Sequence, residues 1–292
     1  MSDKKTAIII CGPTAVGKTD YAFRLAEKYH TQILSADSRQ CYRELDIGVA
    51  KPESEKLQAV RHYFINSHSI TDEVTAAGFE RYGLSVLEEI FSHNEVAVVA
   101  GGTGLYVKVL IEGLYEIPQT DPLVEKSLRE KWSEGGMPWL TAELESRDAR
   151  FATSGEMKNP QRMLRALAVK ISTGKSILDF HTASRKERPF NVQKILLEAP
   201  RDLLYSRINQ RVDRMVNEGL VEEARELFPQ RSLNALQTIG YRELFDYFEG
   251  KITLERAIEL IRQNTRHYAK RQVTWLNKYF RDDQTQIITP SI

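Results

Sequence analysis

The chain has 292 residues, of which 41% are hydrophobic and 28% are charged, enough for one large or two ordinary globular domains. Its 41 Lys and Arg residues nearly balance its 40 Asp and Glu residues, so the formal net charge is only +1. This balance excludes a uniformly basic protein that binds polyanions over its whole surface. It equally excludes a strongly acidic chain that negative charge keeps solvated. A polyanion would have to bind at a local patch of positive charge.

The cysteine content and the first apolar run predict a cytoplasmic protein. Two cysteines, Cys11 and Cys41, are too few for a disulfide framework or a cysteine-based zinc site, which favours a reducing compartment. The first apolar run, residues 7–11, leads directly into Gly12 and Pro13 and is too short for a signal-peptide core or a membrane span. We therefore expect no association with a membrane.

Short apolar runs rich in β-branched residues alternate with helical sequence along the chain. These runs predict strands at residues 7–11, 32–36, 96–100 and 194–199. Between the first two, apolar residues recur at helical spacing and predict a helix that covers a sheet, with Ala22, Leu25, Ala26 and Tyr29 on its apolar face. The alternation is typical of βαβ units and predicts an α/β fold with a doubly wound, mainly parallel sheet flanked by helices.

The middle of the chain, residues 120–188, has no convincing strand and predicts a helical insertion domain. Asp121 and Pro122 are typical of a helix start, and the Gly-Gly-Met-Pro segment at 135–138 is expected to break that helix. Further helices are predicted over residues 140–144, 160–171 and much of 202–280. The predicted organisation is a core of residues 1–119 and 189–292 that carries the insertion at 120–188.

The segment Gly12-Pro13-Thr14-Ala15-Val16-Gly17-Lys18-Thr19 fits the pattern G-x-x-x-x-G-K-[ST] of ATP-binding and other nucleotide-binding proteins. A strand before it and an amphipathic helix after it are the context in which this pattern forms a P-loop. Its glycines let backbone N–H groups face an anion, Lys18 can reach phosphate oxygens, and the Thr19 hydroxyl can bind a Mg²⁺ carried by the ligand. We therefore expect a P-loop NTPase-like core that binds a di- or triphosphate, with Mg²⁺ as the cofactor.

Asp37 is the carboxylate expected beside this loop. An ordinary P-loop kinase or ATPase also carries an Asp at the end of a later buried strand, but the strand at 96–100 ends in Gly101-Gly102-Thr103-Gly104. Asp37 follows the second predicted strand, at the carboxyl edge where ligands of open α/β sheets bind. It is a candidate general base or metal-shell ligand.

Six ordered blocks of sequence, of which the P-loop is the first, resemble the tRNA dimethylallyltransferases, also called tRNA isopentenyltransferases or the MiaA family. The other blocks lie at residues 37–52, 101–106, 159–167, 239–243 and 269–275. The resemblance spans essentially the whole chain. It departs at Cys41, where an aliphatic residue is common, and the sequence has no zinc-finger extension after the last block, which points to the bacterial form.

The resemblance implies a prenyltransferase that moves the dimethylallyl group of dimethylallyl diphosphate to the exocyclic amino group of adenosine at tRNA position 37, beside the anticodon. The P-loop would hold the diphosphate. Asp37 would act as the base toward the adenine amino group, which is a weak nucleophile because its lone pair is delocalised. Thr14 and Arg211 match positions associated with the diphosphate and complete the implied catalytic set.

The resemblance also implies a tRNA-binding set in which the insertion holds the anticodon stem-loop. Its members are Asp37, Ser38, Arg39, Gln40, Thr103, Gln161, Arg162, Met163, Leu164 and Arg165. Two runs without acidic residues, 158–178 and 260–281, carry five and six positive charges and favour RNA binding. Amide and guanidinium groups can read bases that are splayed out of an RNA loop. A monomer is the default expectation.

Other functions fit parts of the sequence. A P-loop kinase of a small hydroxylated metabolite would use the loop and Asp37 but would not need two basic runs. An isopentenyltransferase of free adenine nucleotides would not need the insertion and residues 161–165. An RNA-binding module without enzyme activity would not need an intact phosphate site. At single positions, Thr14 could simply stabilise its loop and Thr103 could cap a helix.

Overall fold

A single parallel sheet forms the centre of the fold in the computed structural model, which describes residues 5–180 and 186–290. Residues 1–4, 181–185 and 291–292, to which the predicted core and insertion extend, lie outside the described residues. The six strands of the described part are β1 (Thr6–Cys11), β2 (Ile33–Ser35), β3 (His62–Tyr63), β4 (Val96–Gly101), β5 (Asn191–Leu197) and β6 (Gln286–Ile288). Their order is β3-β2-β4-β1-β5-β6, so β2, β4 and β1 are adjacent.

The predicted α/β fold is confirmed, and all strand pairs of the described sheet are parallel. The predictions at 7–11, 32–36 and 96–100 correspond to β1, β2 and β4. Strand β5 begins at Asn191, before the predicted start at 194, and ends at Leu197, before the predicted end at 199. The apolar pattern missed its first residues because Asn191 and Gln193 are polar and exposed and only the last three residues are fully buried. The edge strands β3 and β6 contain two and three residues, too few to give a periodic signal.

The helices divide between two compact units of the chain. They are α1 (Lys18–Lys28), α2 (Ser54–Ala59), α3 (Ala76–His93), α4 (Gly104–Glu112), α5 (Pro122–Arg147), α6 (Ala149–Ala152), α7 (Pro160–Thr173), α8 (Arg201–Asn217), α9 (Leu220–Leu227), α10 (Tyr241–Phe248) and α11 (Leu254–Tyr279). The first unit comprises the residues up to Gly113 and from Glu187 onward, and it contains the sheet. The second unit, Leu114–Lys186, contains α5, α6 and α7.

The core of the first unit holds three helices against the sheet. Strand residues Ile8, Val98 and Ile195 form one buried cluster with residues of α1, α8 and α11. The predicted apolar face of α1 is correct for Ala22 and Ala26 and wrong for Tyr29, which lies just past the helix end and is 39% exposed. This packing fixes the three helices that carry the site residues described below.

The second unit has its own core and its own helix boundaries. The side chain of Asp121 caps α5 by accepting a hydrogen bond from the backbone N–H of Leu123 (2.8 Å). The break predicted at 135–138 lies at Gly136, whose φ of 58° is favourable for glycine. Trp132 and Trp139 pack against the buried cluster of this unit. Among the described residues, no helix is long and apolar enough to cross a membrane.

Candidate active site

The parallel order of β2, β4 and β1 brings three sequence-distant segments to one edge of the sheet: Asp37, the glycine turn after β4, and the P-loop after β1. The backbone N–H of Ala36 donates to the carbonyl of Ala100 (2.8 Å), so β2 and β4 remain paired up to this edge. A Cβ on Gly101 would lie 2.2 Å from the carbonyl oxygen of Ala36. Gly101 stands at the strand end where an ordinary P-loop kinase carries an Asp. The close approach of β2 and β4 requires a glycine at this position.

The P-loop joins β1 directly to α1. Gly17 has a φ of 95°, in the left-handed region that favours glycine. The Lys18 ammonium donates to the carbonyl oxygens of Gly12 (2.9 Å) and Pro13 (2.8 Å), so it curls back over its own loop. Thr19 and Lys18 line a cavity of about 720 Å³ that opens in front of the loop. The loop therefore stands between a strand and a helix, which is the context in which this sequence pattern forms a P-loop.

Asp37 lies on the wall of the same cavity. One of its carboxylate oxygens accepts hydrogen bonds from the backbone N–H groups of Arg39 (2.8 Å) and Gln40 (3.3 Å). These bonds stabilise the turn after β2 and fix the carboxylate in place. The predicted neighbours, Asp37 and the P-loop, therefore face one common space.

Arg211 approaches the P-loop from α8. Its guanidinium donates to the hydroxyl of Thr14 (3.2 Å), so both residues of the implied diphosphate pair are in contact. Burial lowers the pKa of Arg211, and the nearby Asp37 carboxylate opposes that shift. Burial also lowers the pKa of Lys18 to about 8, with Asp37 raising it and Arg211 lowering it. The site is therefore a partly desolvated cationic cluster with one carboxylate beside it.

Arginine and lysine dominate the charge of the cavity wall. Its cationic residues are Lys18, Lys51, Lys56, Arg207, Arg211 and Arg214, and its acidic residues are Asp20, Asp37 and Glu53. Lys56 forms ion pairs with Asp20 (2.7 Å) and Glu53 (3.3 Å), which leaves an excess of positive charge toward the P-loop. Such a wall suits a polyphosphate.

Gln272 is a site residue to which the sequence analysis assigns no role. This buried amide of α11 accepts a hydrogen bond from the backbone N–H of Thr14 (2.8 Å) and donates to the carbonyl of Gly102 (2.9 Å). It therefore ties the P-loop to the glycine turn of β4. Its signal in the sequence is a polar residue on the helix face that also carries the buried Ala269 and Leu276.

Replacing Gln272 with leucine is expected to lower kcat/KM for the reaction at this site about 10- to 100-fold. It should also lower the free energy of unfolding by about 1–3 kcal/mol, because the half-buried backbone N–H of Thr14 and carbonyl of Gly102 lose their partner. Steady-state kinetics and denaturant unfolding measure the two effects. Asn277→Leu, at an exposed position of α11, is the matched control and should change neither. Wild-type activity in a folded Gln272→Leu variant would show that the bridge does not support the site.

Tyr268 is a second residue to which the sequence analysis assigns no role. It lines the 720 Å³ cavity and two neighbouring cavities, of about 370 Å³ each. One of these is bounded by Thr103, Trp275 and the glycine turn, and the other also includes Asp37. Burial raises the pKa of Tyr268, with the Asp37 carboxylate adding to that shift, so the phenol remains neutral at physiological pH.

Hydrogen bonds to one another and to neighbouring segments hold the residues around Asp37 that are implied to bind tRNA. Thr103 is the N-cap residue of α4, as the capping alternative expects. Its hydroxyl, however, accepts a hydrogen bond from the backbone N–H of Ser38 (3.0 Å) and not from the N–H groups of the helix. The Gln40 amide donates to the carbonyl of Ala50 (3.0 Å), and the Arg39 guanidinium donates to that of Asn234 (3.1 Å). These contacts order the segment after β2.

The implied tRNA-binding segment at 161–165 starts helix α7 in the second unit, where Asn159 caps the helix. Gln161 and Arg162 are exposed, whereas the Arg165 guanidinium donates to the hydroxyl of Thr120 (2.7 Å). Met163 is fully buried and Leu164 is 8% exposed, because these positions face the helical core. The side chain of Met163 therefore faces the helical core of the second unit and not solvent.

Several basic residues of the two runs without acidic residues form ion pairs with acidic side chains that lie outside those runs. On α11, Arg262 binds Asp213, and Arg266 forms an ion pair with Glu259 (3.3 Å). In the second unit, Arg162 binds Glu156. The partners come from other segments or from just outside the runs, so counting charge within a run overstates the unpaired charge that faces solvent.

The predicted Mg²⁺ would need most of its coordinating oxygens from the bound phosphate compound and from water. Within the described residues there is no group of three or more His, Cys, Asp or Glu side chains that could hold a metal ion. The Thr19 hydroxyl lies in the cavity with the Asp37 carboxylate. Such sparse oxygen donors fit Mg²⁺, which retains waters and binds mainly through substrate phosphates.

Comparisons with known proteins identify a family that this chain resembles along most of its length. The chain matches the family model described as IPP transferase over residues 40–279. It is 45% identical to a tRNA dimethylallyltransferase of Christiangramia forsetii, over 93% of this chain and 90% of the relative. It is also 44% identical to tRNA dimethylallyltransferase 1 of Bacteroides fragilis, over 94% and 91% of the two chains.

Solved structures give the same result. The crystal structure of the tRNA isopentenylpyrophosphate transferase of Bacillus halodurans is similar with a TM-score of 0.70 and 34% identity, covering 98% of this chain and 90% of that one. A eukaryotic dimethylallyltransferase acting on tRNA is similar with a TM-score of 0.80 and 25% identity, over 93% and 70% of the chains. This chain therefore belongs to the IPP transferase family.

Proposed function

We propose that the protein is a tRNA dimethylallyltransferase. It transfers the dimethylallyl group of dimethylallyl diphosphate to the exocyclic amino group of adenosine at tRNA position 37 and releases diphosphate. The observation that carries this proposal is the placement of Asp37 in one cavity with the P-loop, Lys18 and Arg211. A carboxylate facing a diphosphate site is what prenyl transfer to a weak nitrogen nucleophile needs.

Departure of the diphosphate depends on neutralising the charge that it gains as the allylic carbon–oxygen bond breaks. The groups proposed to supply this charge are the backbone N–H groups of the P-loop together with Lys18 and Arg211, which line the cavity. The guanidinium of Arg211 also donates a hydrogen bond to the hydroxyl of Thr14, within the loop itself. Thr19 is the residue that would help to hold a Mg²⁺ here, and the ion would supply further neutralising charge when bound.

Asp37 takes the proton in the second half of the reaction. The adenine amino nitrogen forms the new bond to the allylic carbon, and one of its two protons passes to the Asp37 carboxylate. The hydrogen bonds from the backbone N–H groups of Arg39 and Gln40 hold this carboxylate in place without engaging another side chain. The target base must leave the stack of the anticodon loop to reach it.

The tRNA is proposed to contact both units. Ser38, Arg39, Gln40 and Thr103 bound the site of the flipped base, and the helical unit grips the anticodon stem through the exposed start of α7. Gln161, Arg162 and Arg165 are the candidate readers there, since amide and guanidinium groups suit splayed bases and phosphates.

The acceptor is tested by incubating the protein with labelled dimethylallyl diphosphate and, in separate reactions, unmodified tRNA, AMP, or ATP with small alcohols. We expect label in the tRNA alone. Label in AMP would indicate an enzyme of free nucleotides. Phosphorylation of an alcohol by ATP would indicate a kinase, and binding of tRNA with no transfer at all would indicate a module without enzyme activity.

Replacing Arg165 with alanine is expected to weaken tRNA binding about threefold to tenfold and to make the slope of log affinity against log salt shallower by about one. The effect is modest because the guanidinium already binds Thr120 and Glu125 within the protein. Filter binding across a salt series measures it. Arg147→Ala, which removes an exposed arginine paired with Glu143, is the control. An unchanged salt slope for Arg165→Ala would exclude a phosphate contact.

A further inference from the structure

Helix α8 presents three arginines to the cavity in front of the P-loop. Arg207, Arg211 and Arg214 are spaced i, i+4 and i+7, so they share one face of the helix, and all three line the cavity. Leu204 and Ile208 anchor the helix in the core cluster. The arginine face is therefore held toward the cavity.

The three arginines differ in their partners. Arg211 donates to the hydroxyl of Thr14 (3.2 Å), and Arg214 lies 4.0 Å from the carboxylate of Glu218. Arg207 differs, because its Nη1 atom is buried and has no hydrogen-bond partner among the residues that the structure describes. The implied catalytic set includes Arg211 and not Arg207.

A buried guanidinium N–H without an acceptor is unfavourable, since it has lost its water and gained nothing in return. The acidic residues of the cavity wall are engaged elsewhere. Asp20 and Glu53 bind Lys56, and Asp37 accepts from two backbone N–H groups. Positive charge from Lys18 and Arg211 in the same cavity makes the environment of Arg207 still less favourable without an anion.

We propose that Arg207 is a second arginine of the diphosphate site, whose buried Nη1 donates to an oxygen of the diphosphate. The planar guanidinium suits phosphate oxygens. The buried Nη1, which has no hydrogen-bond partner among the described residues, would give up no existing hydrogen bond when the anion binds. This inference rests on the proposed function, because it takes the cavity as the diphosphate site.

The test measures binding of inorganic diphosphate to the full chain by calorimetry, together with thermal melting with and without diphosphate. Arg207→Met removes the guanidinium at similar length, and Arg207→Lys retains the charge without the planar fork. We expect a dissociation constant raised about 10- to 100-fold for Arg207→Met and by less for Arg207→Lys. Arg201→Met, at an exposed arginine of the same helix, is the control and should bind as the wild type does.

The melting data separate a binding role from a structural one. An arginine that serves only the fold would lower the melting temperature of the free protein when removed. We expect the free Arg207→Met protein to melt at or above the wild-type temperature and to lose most of the stabilisation that diphosphate gives. Wild-type affinity for diphosphate in Arg207→Met would overturn the inference and leave the proposed function intact, whereas a wild-type protein that binds no diphosphate would overturn both.

Discussion

Replacing Asp37 with asparagine is expected to lower kcat for prenyl transfer by about 10²- to 10⁴-fold, the usual contribution of a positioned general base. Asparagine retains an oxygen that can accept the backbone N–H bonds from Arg39 and Gln40, so the turn after β2 should persist. It cannot accept the proton of the adenine amino group. Single-turnover transfer to tRNA under saturating substrates measures the effect directly.

A comparison with Asp37→Ala separates chemistry from structure. Alanine removes both the base and the acceptor of the two turn bonds, so it should also lower the free energy of unfolding by about 1–2 kcal/mol. Asp72→Asn is the matched control, because that exposed carboxylate likewise accepts a backbone N–H, from Ser69 (2.7 Å). Full turnover by Asp37→Asn would contradict the assignment of the base.

Replacing Lys18 with methionine is expected to lower kcat/KM for dimethylallyl diphosphate by about 10²- to 10³-fold, because it removes a charged donor to the leaving group. The lowered pKa of Lys18, about 8, adds a pH dependence. The ammonium is charged below that pH and neutral above it, so its contribution to diphosphate affinity in the free enzyme should decline as the pH rises through about 8.

The contribution of Lys18 is measured as the ratio of the diphosphate affinity of the wild type to that of Lys18→Met at each pH. The titration of the diphosphate itself affects both proteins equally and cancels in this ratio. We expect the ratio to be largest below pH 8 and to fall above it. Lys28→Met, at the exposed end of α1, should follow the wild type throughout. The measurements should cover pH 7 to 9, about one pH unit on either side of the pKa of Lys18. An affinity ratio that stays constant over this range would show that Lys18 does not titrate in the free site.

The sequence predicts those parts of the site that lie on contiguous motifs or at strand ends. The P-loop follows from its pattern, and the proximity of Asp37 follows from the rule that parallel strands end at a common edge. Only the structure explains why position 101 is a glycine. A Cβ at that position would lie 2.2 Å from the carbonyl oxygen of Ala36.

Apart from Arg211, which the family resemblance implies, the contributions of α8 and α11 to the site could not be predicted in the same way. Gln272 and Arg207 reach the site through the packing of long helices that follow β5, and no local pattern specifies which turn of a helix faces a loop far away in the sequence. The pairing of Arg262 with Asp213 has the same origin. Met163 was implied by position within a block, whereas helix periodicity places it in the core.

The most direct test of the central proposal is nucleoside mass spectrometry of an unmodified tRNA after incubation with the protein and dimethylallyl diphosphate. The substrate should be compared with the same tRNA carrying guanosine at position 37. We expect one dimethylallyl group on the exocyclic amino nitrogen of adenosine 37, released diphosphate in equal amount, and no product from the guanosine variant. Modification at another nucleotide, or no modification of an adenosine 37 tRNA by a protein that binds it, would contradict the proposed function.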